Sequence, residues 1–315
     1  MSTAETASAQ RIVVITTGGT IACTTSSSGD LVPILTGEQL VQPVRDRFPD
    51  GNIVVEVVDL GTIDSSDMTF ADVDRINEAV HSALADPEVA GVVVTHGTDS
   101  MEETAMAIDT FHNDSRPVIL TGAQLPFDHP ESDGLGNLFE AIVIAADASA
   151  QGIGVLIVFG HAVLPARGAC KWHTSDLLAF ATNAPEEPVR PEPLPLAKLA
   201  DVSVAIISAH QGADGSLLDA AVDAGAQGIV VEGMGSGNVS TKFADVIGRA
   251  IGKGLPVVMT TRVPRGDVFP AYGGNGGGAT LARAGVIAAG CVHAPQARVI
   301  LAAAIASGVH PQTLF

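Results

Sequence analysis

Basic residues are scarce in this 315-residue chain. Against 35 Asp and Glu there are 16 Lys and Arg, a formal charge of −19 spread along the sequence rather than gathered in a tail. Nucleic-acid binding depends on basic side chains that neutralise phosphates, so this balance excludes it, and with it attachment to anionic membrane surfaces. Cysteine is nearly missing: Cys23, Cys170 and Cys291 make no paired framework, which points to a reducing compartment. No run of about 18 apolar residues predicts a membrane span. Residues 1–10 have neither the basic nor the apolar region of a secretory signal, so a cytoplasmic location is expected. Cys170-Lys-Trp-His173, with His161 upstream, is too sparse for a zinc site. Neither Gly18-Gly19 nor the glycine-rich run 273–278 fits a dinucleotide fingerprint or a P-loop. We expect no metal and no cofactor.

What is present is core material. Hydrophobic residues make up 46% of a chain too long for most single cores, which calls for one large or two ordinary domains. β-branched runs at 11–16, 53–59, 91–95, 117–121 and 154–159 read as buried strands. Helical patterns at 37–48, 70–86, 100–112 and 134–146 alternate with them, which predicts an α/β fold with a doubly wound, mostly parallel sheet. Residues 184–196 then carry five prolines in thirteen positions, excluding a helix interior or central strand. Strand patterns resume at 202–209, 228–232 and 255–261, and a helix near 296–307 closes the chain. The expected organisation is a larger N-terminal domain over 1–190, an extended linker over 191–201 and a smaller C-terminal α/β domain over 202–315.

Two threonines stand just beyond apolar runs. Thr17 follows Arg11-Ile-Val-Val-Ile-Thr and precedes Gly18-Gly19, while Thr98 lies in Thr95-His-Gly-Thr-Asp-Ser-Met-Glu-Glu-Thr104. Loops after strand C-termini are where open α/β sheets bind ligands, so hydroxyls delivered there suit nucleophilic chemistry. The plainer alternatives are a threonine that closes a turn through its hydroxyl, at Thr17, and helix capping at Thr98 and Asp99.

Thr17-Gly-Gly-Thr20-Ile-Ala and His96-Gly-Thr-Asp-Ser-Met-Glu-Glu-Thr104 resemble the two signatures of the bacterial-type L-asparaginase (asparaginase/glutaminase) family. The similarity continues through Ser65-Ser-Asp-Met68, Thr121-Gly-Ala-Gln124, Lys171, Gly235-Ser-Gly-Asn238 and Ala297-Arg-Val299. The resemblance implies Thr17 as the nucleophile that attacks the side-chain amide carbon, with Thr98, Asp99 and Lys171 hydrogen-bonded together beside it. It implies substrate contacts from Ser65, Ser66 and Asp99, and a backbone contact from Ala123. It also implies a homo-oligomer, a dimer or tetramer, whose sites a neighbouring copy closes. Two departures stand out. Family members usually carry a tyrosine in the loop after the first signature, but Cys23-Thr-Thr-Ser-Ser-Ser-Gly-Asp-Leu-Val-Pro33 has none, and the only tyrosine is Tyr272. Either Tyr272 reaches a site from elsewhere, or water or Lys171 activates Thr17, or Thr98 is the nucleophile. The family's acid from the neighbouring protomer is also missing, which leaves Asn238, Tyr272 and Asn275 as candidates for that contribution.

The expected activity is hydrolysis of L-asparagine to L-aspartate and ammonia through a threonine acyl-enzyme. The alternatives are a dual glutaminase/asparaginase, the amide-hydrolysing component of a tRNA-dependent amidotransferase, and an asparagine-binding sensor without turnover. Ten leading residues in place of an added N-terminal domain, together with the acidity, argue against the amidotransferase. The expected partner is a small molecule, L-asparagine or also L-glutamine.

Overall fold

The computed structural model describes residues 9–185 and 189–315. Most of the segment read for a signal, and residues 186–188 of the proline-rich stretch, lie outside the described residues. Contacts divide the chain into two units, one running to Ala166 with Lys171–Ala181 added, the other made of Arg167–Cys170 and Thr182–Phe315. The described residues of 182–201 therefore belong with the second unit, where Leu199 is fully buried.

The first unit opens with β1 (Gln10–Thr16), a hairpin of β2 (Cys23–Thr25) and β3 (Leu31–Pro33), and α1 (Gly37–Arg45). It continues through β4 (Ile53–Asp59), α2 (Phe70–Leu84), β5 (Val89–Thr95), α3 (Met101–Phe111), β6 (Val118–Thr121) and α4 (Gly134–Ala146). Strands β7 (Val155–Phe159) and β8 (Ala162–Pro165) follow, then the short β9 (Ala169–Lys171) and β10 (Phe180–Thr182), where the chain passes from one unit to the other. Capping boxes start two of the helices: Thr36 with Gln39 at α1, Thr69 with Asp72 at α2.

The six strands run in the order β4-β1-β5-β6-β7-β8, all parallel except β8, so the α/β reading of the sequence holds. Ile12, Val14, Val93, Ile119 and Leu156 pack against Leu40, Val44, Leu138 and Ile142 of α1 and α4. Val13, Ile15, Val92 and Val94 alternate to the other face. Each such fully buried aliphatic side chain contributes about 1.5–3 kcal/mol of transfer free energy. The order reverses at β1: the chain moves outward to β4 and returns to β5 on the other side. The crevice beyond the C-terminal ends of β1 and β5 is therefore where this topology accepts a ligand.

The second unit holds β11 (Val204–Ser208), α5 (Ser216–Asp223), β12 (Gly228–Gly233), α6 (Thr241–Gly252), β13 (Val257–Thr261), α7 (Gly278–Arg283), β14 (Ile287–Ala288) and α8 (Ala294–Ser307). Its four strands are parallel, in chain order, over a core that includes Ile229, Val231, Phe243, Ile247 and Met259. The apolar stripe of α8 is almost wholly buried, and Gly308, at φ 65°, ends the helix in the left-handed conformation. Strands β8 to β10, β14 and helix α7 have no counterpart in the sequence reading, because two to six residues are too few to show a period. Among the described residues, no helix is long and apolar enough to cross a membrane.

Candidate active site

Three loops meet at the crevice: residues 17–20 after β1, 60–69 after β4 and 96–99 after β5. They approach so closely that side chains are excluded where they touch. A Cβ on Gly19 would run into the Gly97 backbone, and one on Gly97 would run into the Ser65 side chain. Gly19 also holds φ 82°, a conformation disfavoured for L side chains.

The two glycines separate two threonines with different fates. Thr17 is completely buried at the end of β1, and its hydroxyl donates to the Thr95 carbonyl at 2.8 Å. It does not line the cavity, contrary to what its expected role as nucleophile would require. Three residues later, Thr20 opens a 3-10 turn (Thr20–Ala22), is half-buried and faces the cavity. The physical reason is the turn. A residue directly after a buried strand is still inside the sheet layer, whereas Gly18 and Gly19 lift the next side chain out of it. The sequence expectations do not include Thr20 among the cavity residues, although a Gly-Gly turn before a hydroxyl is the signal for it.

Around a cavity of about 360 Å³, within the small-molecule range, the structure brings Thr20, Ser65, Thr98, Asp99, Gln124 and Lys171 together. The Lys171 ammonium donates to Thr98 Oγ1 at 2.8 Å and to Asp99 Oδ1 at 2.6 Å. Thr98 is buried, its hydroxyl pointing on toward Gln124 Oε1 at 3.5 Å, while Asp99 is open to the cavity and solvent. An ammonium touching a buried hydroxyl favours its alkoxide or any oxyanion formed beside it. The charge of Asp99 balances that ammonium and leaves carboxylate oxygen for a cationic ligand group.

Ser65 is buried, and its hydroxyl accepts the Asp99 N–H at 3.3 Å while its carbonyl accepts the Ser100 hydroxyl at 2.6 Å. Ser66 turns away: exposed, it donates backbone N–H and hydroxyl to Asp64, both at 2.9 Å, and it does not line the cavity. Ala123 is buried in the loop after β6, and its neighbour Gln124 supplies the cavity wall. Asp133 fixes that loop by accepting from the Gln124 N–H at 3.0 Å, the Leu125 N–H at 2.9 Å and the Asn137 amide at 3.0 Å. The loop expected over 23–33 forms the β2–β3 hairpin, with Cys23, Leu31 and Pro33 in the cavity wall. Asn238, Tyr272 and Asn275 belong to the second unit and none lines the cavity. Asn238 accepts the Gly278 N–H at 3.1 Å, and Tyr272 and Asn275 are exposed.

Burial shapes the titrating groups nearby. His96 is fully buried, with Nδ1 at 2.7 Å from the Gly97 carbonyl and Nε2 at 2.9 Å from Thr104 Oγ1, and burial lowers its pKa to about 4. It is a neutral strut under the loop that carries Thr98. Burial pushes the Glu102 carboxyl up to about 7 despite the Lys171 N–H that it accepts. Burial, and secondarily Asp64, raises the Cys23 thiol, so it is not a thiolate at neutral pH.

Residues 11–190 match the family model for the asparaginase N-terminal domain, and residues 203–314 match that for the glutaminase/asparaginase C-terminal domain. An L-asparaginase of Bacillus licheniformis is 30% identical over 95% of this chain and 96% of its own length. The L-asparaginase 2 of Escherichia coli is 31% identical over 96% of this chain and 91% of its own. The crystal structure of a probable cytoplasmic L-asparaginase from Campylobacter jejuni superposes with a TM-score of 0.81 at 27% identity, covering 97% of this chain and 98% of that one.

Proposed function

The chain belongs to the asparaginase family, and from that premise we propose that it hydrolyses the side-chain amide of L-asparagine to L-aspartate and ammonia. The observation that carries this reading is the Lys171 ammonium held on both Thr98 and Asp99 at the wall of a cavity that Thr20 and Ser65 also line. Asp99 and Ser65 anchor the amino-acid end: the carboxylate takes the α-ammonium, and the hydroxyl and neighbouring loop amides take the α-carboxylate. Thr20 is the nucleophile. Its oxygen attacks the amide carbon, its proton passes to the departing nitrogen, ammonia leaves, and water then cleaves the ester. Thr98 and Lys171 stabilise the negative charge that develops in each step.

Glutamine turnover is a second outcome of the same chemistry. In a homo-oligomer, dimer or tetramer, Asn238, Tyr272 or Asn275 of a neighbouring copy completes the cavity. The support is that Tyr272 and Asn275 are exposed and line nothing in their own chain's cavity. Three free cysteines support a cytoplasmic location.

A coupled ammonia assay with L-asparagine, L-glutamine and D-asparagine, run on the chain and on Thr20→Val and Thr98→Val, tests the reading. L-asparagine is expected to be the best substrate, with kcat about three orders of magnitude lower in each variant. Rapid-quench mass spectrometry should find an aspartyl ester on the peptide bearing Thr20. Saturable binding of asparagine without ammonia would mean a sensor instead, and an ester on Thr98 would move the nucleophile there.

A further inference from the structure

We propose that Glu102 is a positioning residue for this amide hydrolysis: its carboxyl group holds the main chain of Lys171 and thereby sets where the ammonium meets Thr98 and Asp99. The inference rests on the amidase reading of the cavity.

The three groups in the cavity come from two distant stretches of sequence. Thr98 and Asp99 lead directly into α3, whereas Lys171 ends the three-residue β9. A lysine has four rotatable carbons, so its head is only as well placed as its Cα allows. Glu102 sits in the first turn of α3, directly after the Thr98-Asp99-Ser100 turn that leads into the helix. Its Oε2 accepts the Lys171 backbone N–H. The short segment that bears Thr98 and Asp99 and enters α3 therefore also grips the backbone of Lys171. On the far side, the Trp172 N–H donates to the Ala179 carbonyl at 2.7 Å, so Lys171 is held between two fixed points.

The grip is charge-sensitive. Burial raises the Glu102 carboxyl to about 7, against the Lys171 N–H that it accepts; of the charges acting on it, Glu103, its neighbour on α3, disfavours ionisation and the Lys171 ammonium favours it. An ionised carboxylate accepts an N–H about twice as strongly as a neutral acid does. Above neutrality the clamp is tight, and below it the Lys171 segment is loosened.

The test is the pH profile of kcat/KM for L-asparagine between pH 5.5 and 9, measured on the full chain and on Glu102→Gln and Glu102→Asp, with thermal melts of each. We expect the unaltered chain to lose about fivefold in kcat/KM through one protonation as pH falls past 7. Glu102→Gln, a neutral mimic of the protonated acid, should lie about fivefold low at pH 8.5 and lack that limb. Glu102→Asp should keep the limb at a displaced pH. A carboxyl that serves stability alone would shift the melting temperature of Glu102→Gln and leave its limb in place, which would overturn the proposal. So would a flat profile of the unaltered chain from pH 6 to 8. Should Glu102→Gln fail to fold, Glu102→Asp decides: a displaced limb supports the proposal, an unmoved one overturns it. Ammonia release by the unaltered chain at pH 8.5 separates the two levels, since its absence removes the amidase reading itself and the inference with it.

Discussion

Thr17 and Thr20 have the same chemistry and lie within one turn of each other in the chain, yet the structure predicts opposite phenotypes for their loss. Thr17→Val removes a buried hydrogen bond to the Thr95 carbonyl and should lower stability by about 1–2 kcal/mol while changing kcat less than about tenfold. Thr20→Val should leave the melting temperature nearly unchanged and abolish most turnover. Thermal melts beside the ammonia assay separate the two, and a severe loss of kcat in a well-folded Thr17→Val would return the nucleophile to the strand end. A buried base and a buried acid make a second prediction at this scale. The folded His96 has its pKa lowered to about 4, so as pH falls from about 6.5 the unfolded chain takes up a proton that the fold refuses, and stability drops. The folded Glu102 has its pKa raised to about 7, so over the falling range from 7 to about 4.5 the fold takes up a proton first, and stability rises. The two slopes oppose one another between pH 4.5 and 6.5. Glu102→Gln should therefore expose the His96 slope, visible as a melting temperature that falls more steeply on acidification than in the unaltered chain. An unchanged slope would show that Glu102 titrates in the fold as it does in the unfolded chain.

Long apolar strands with helices between them announce themselves in the sequence, because a period of 2.0 or 3.6 repeats often enough to be read. That is why β1, β4, β5 and the helices α1 to α4 were legible to within a few residues, and why the three-residue β2, β3, β9 and β10 were not. The site followed the same division. Thr98 and Asp99 sit in the loop after a long strand, where reading the strands placed them, whereas Ser65 and Lys171 entered through the family resemblance. Thr20 needed knowledge of which way a Gly-Gly turn throws the next side chain, and Ser66 needed the Asp64 carboxylate that draws it away. Gln124 depended on Asp133, eight or nine residues downstream, which gathers three donors onto one carboxylate. Asp133→Ala would strand two loop amides and should cost about 3 kcal/mol, with a KM for asparagine raised as the Gln124 wall loosens. Gly97→Ala is harsher in a different way: its Cβ has no room beside Ser65, so the loop carrying Thr98 must shift. Turnover should fall by about a hundredfold or more even where the chain still folds. A crystal structure or a chemical-shift map confined to the 60–69 and 96–99 loops would check that the damage is local.

At the scale of the whole molecule, the strand order is what turns a list of motifs into a site. Because β4 and β5 lie on opposite sides of β1, the loops after all three strands converge on one crevice. No arrangement in simple sequential order would bring Ser65, Thr20 and Thr98 together in that way. Whether a neighbouring copy contributes to the proposed site is a separate question, and charge supplies the means of asking it. Each copy carries a formal −19, so copies repel one another at low ionic strength over a Debye length of about 30 Å at 0.01 M, falling to about 8 Å at 0.15 M. If a neighbour's second unit completes the cavity, dilution at low salt should lower the activity per chain, and added salt should restore it as the oligomer reforms. Light scattering on the same samples must show mass and activity falling and recovering together. Tyr272→Ala, at a position 63% exposed in the single chain, should reduce activity wherever the sample scatters as an oligomer, make no difference where it scatters as a monomer, and leave the melting temperature of the chain where it was. Full activity in a dilute sample that scatters as a monomer would show that each chain closes its own cavity, and the candidates in the second unit would lose their role.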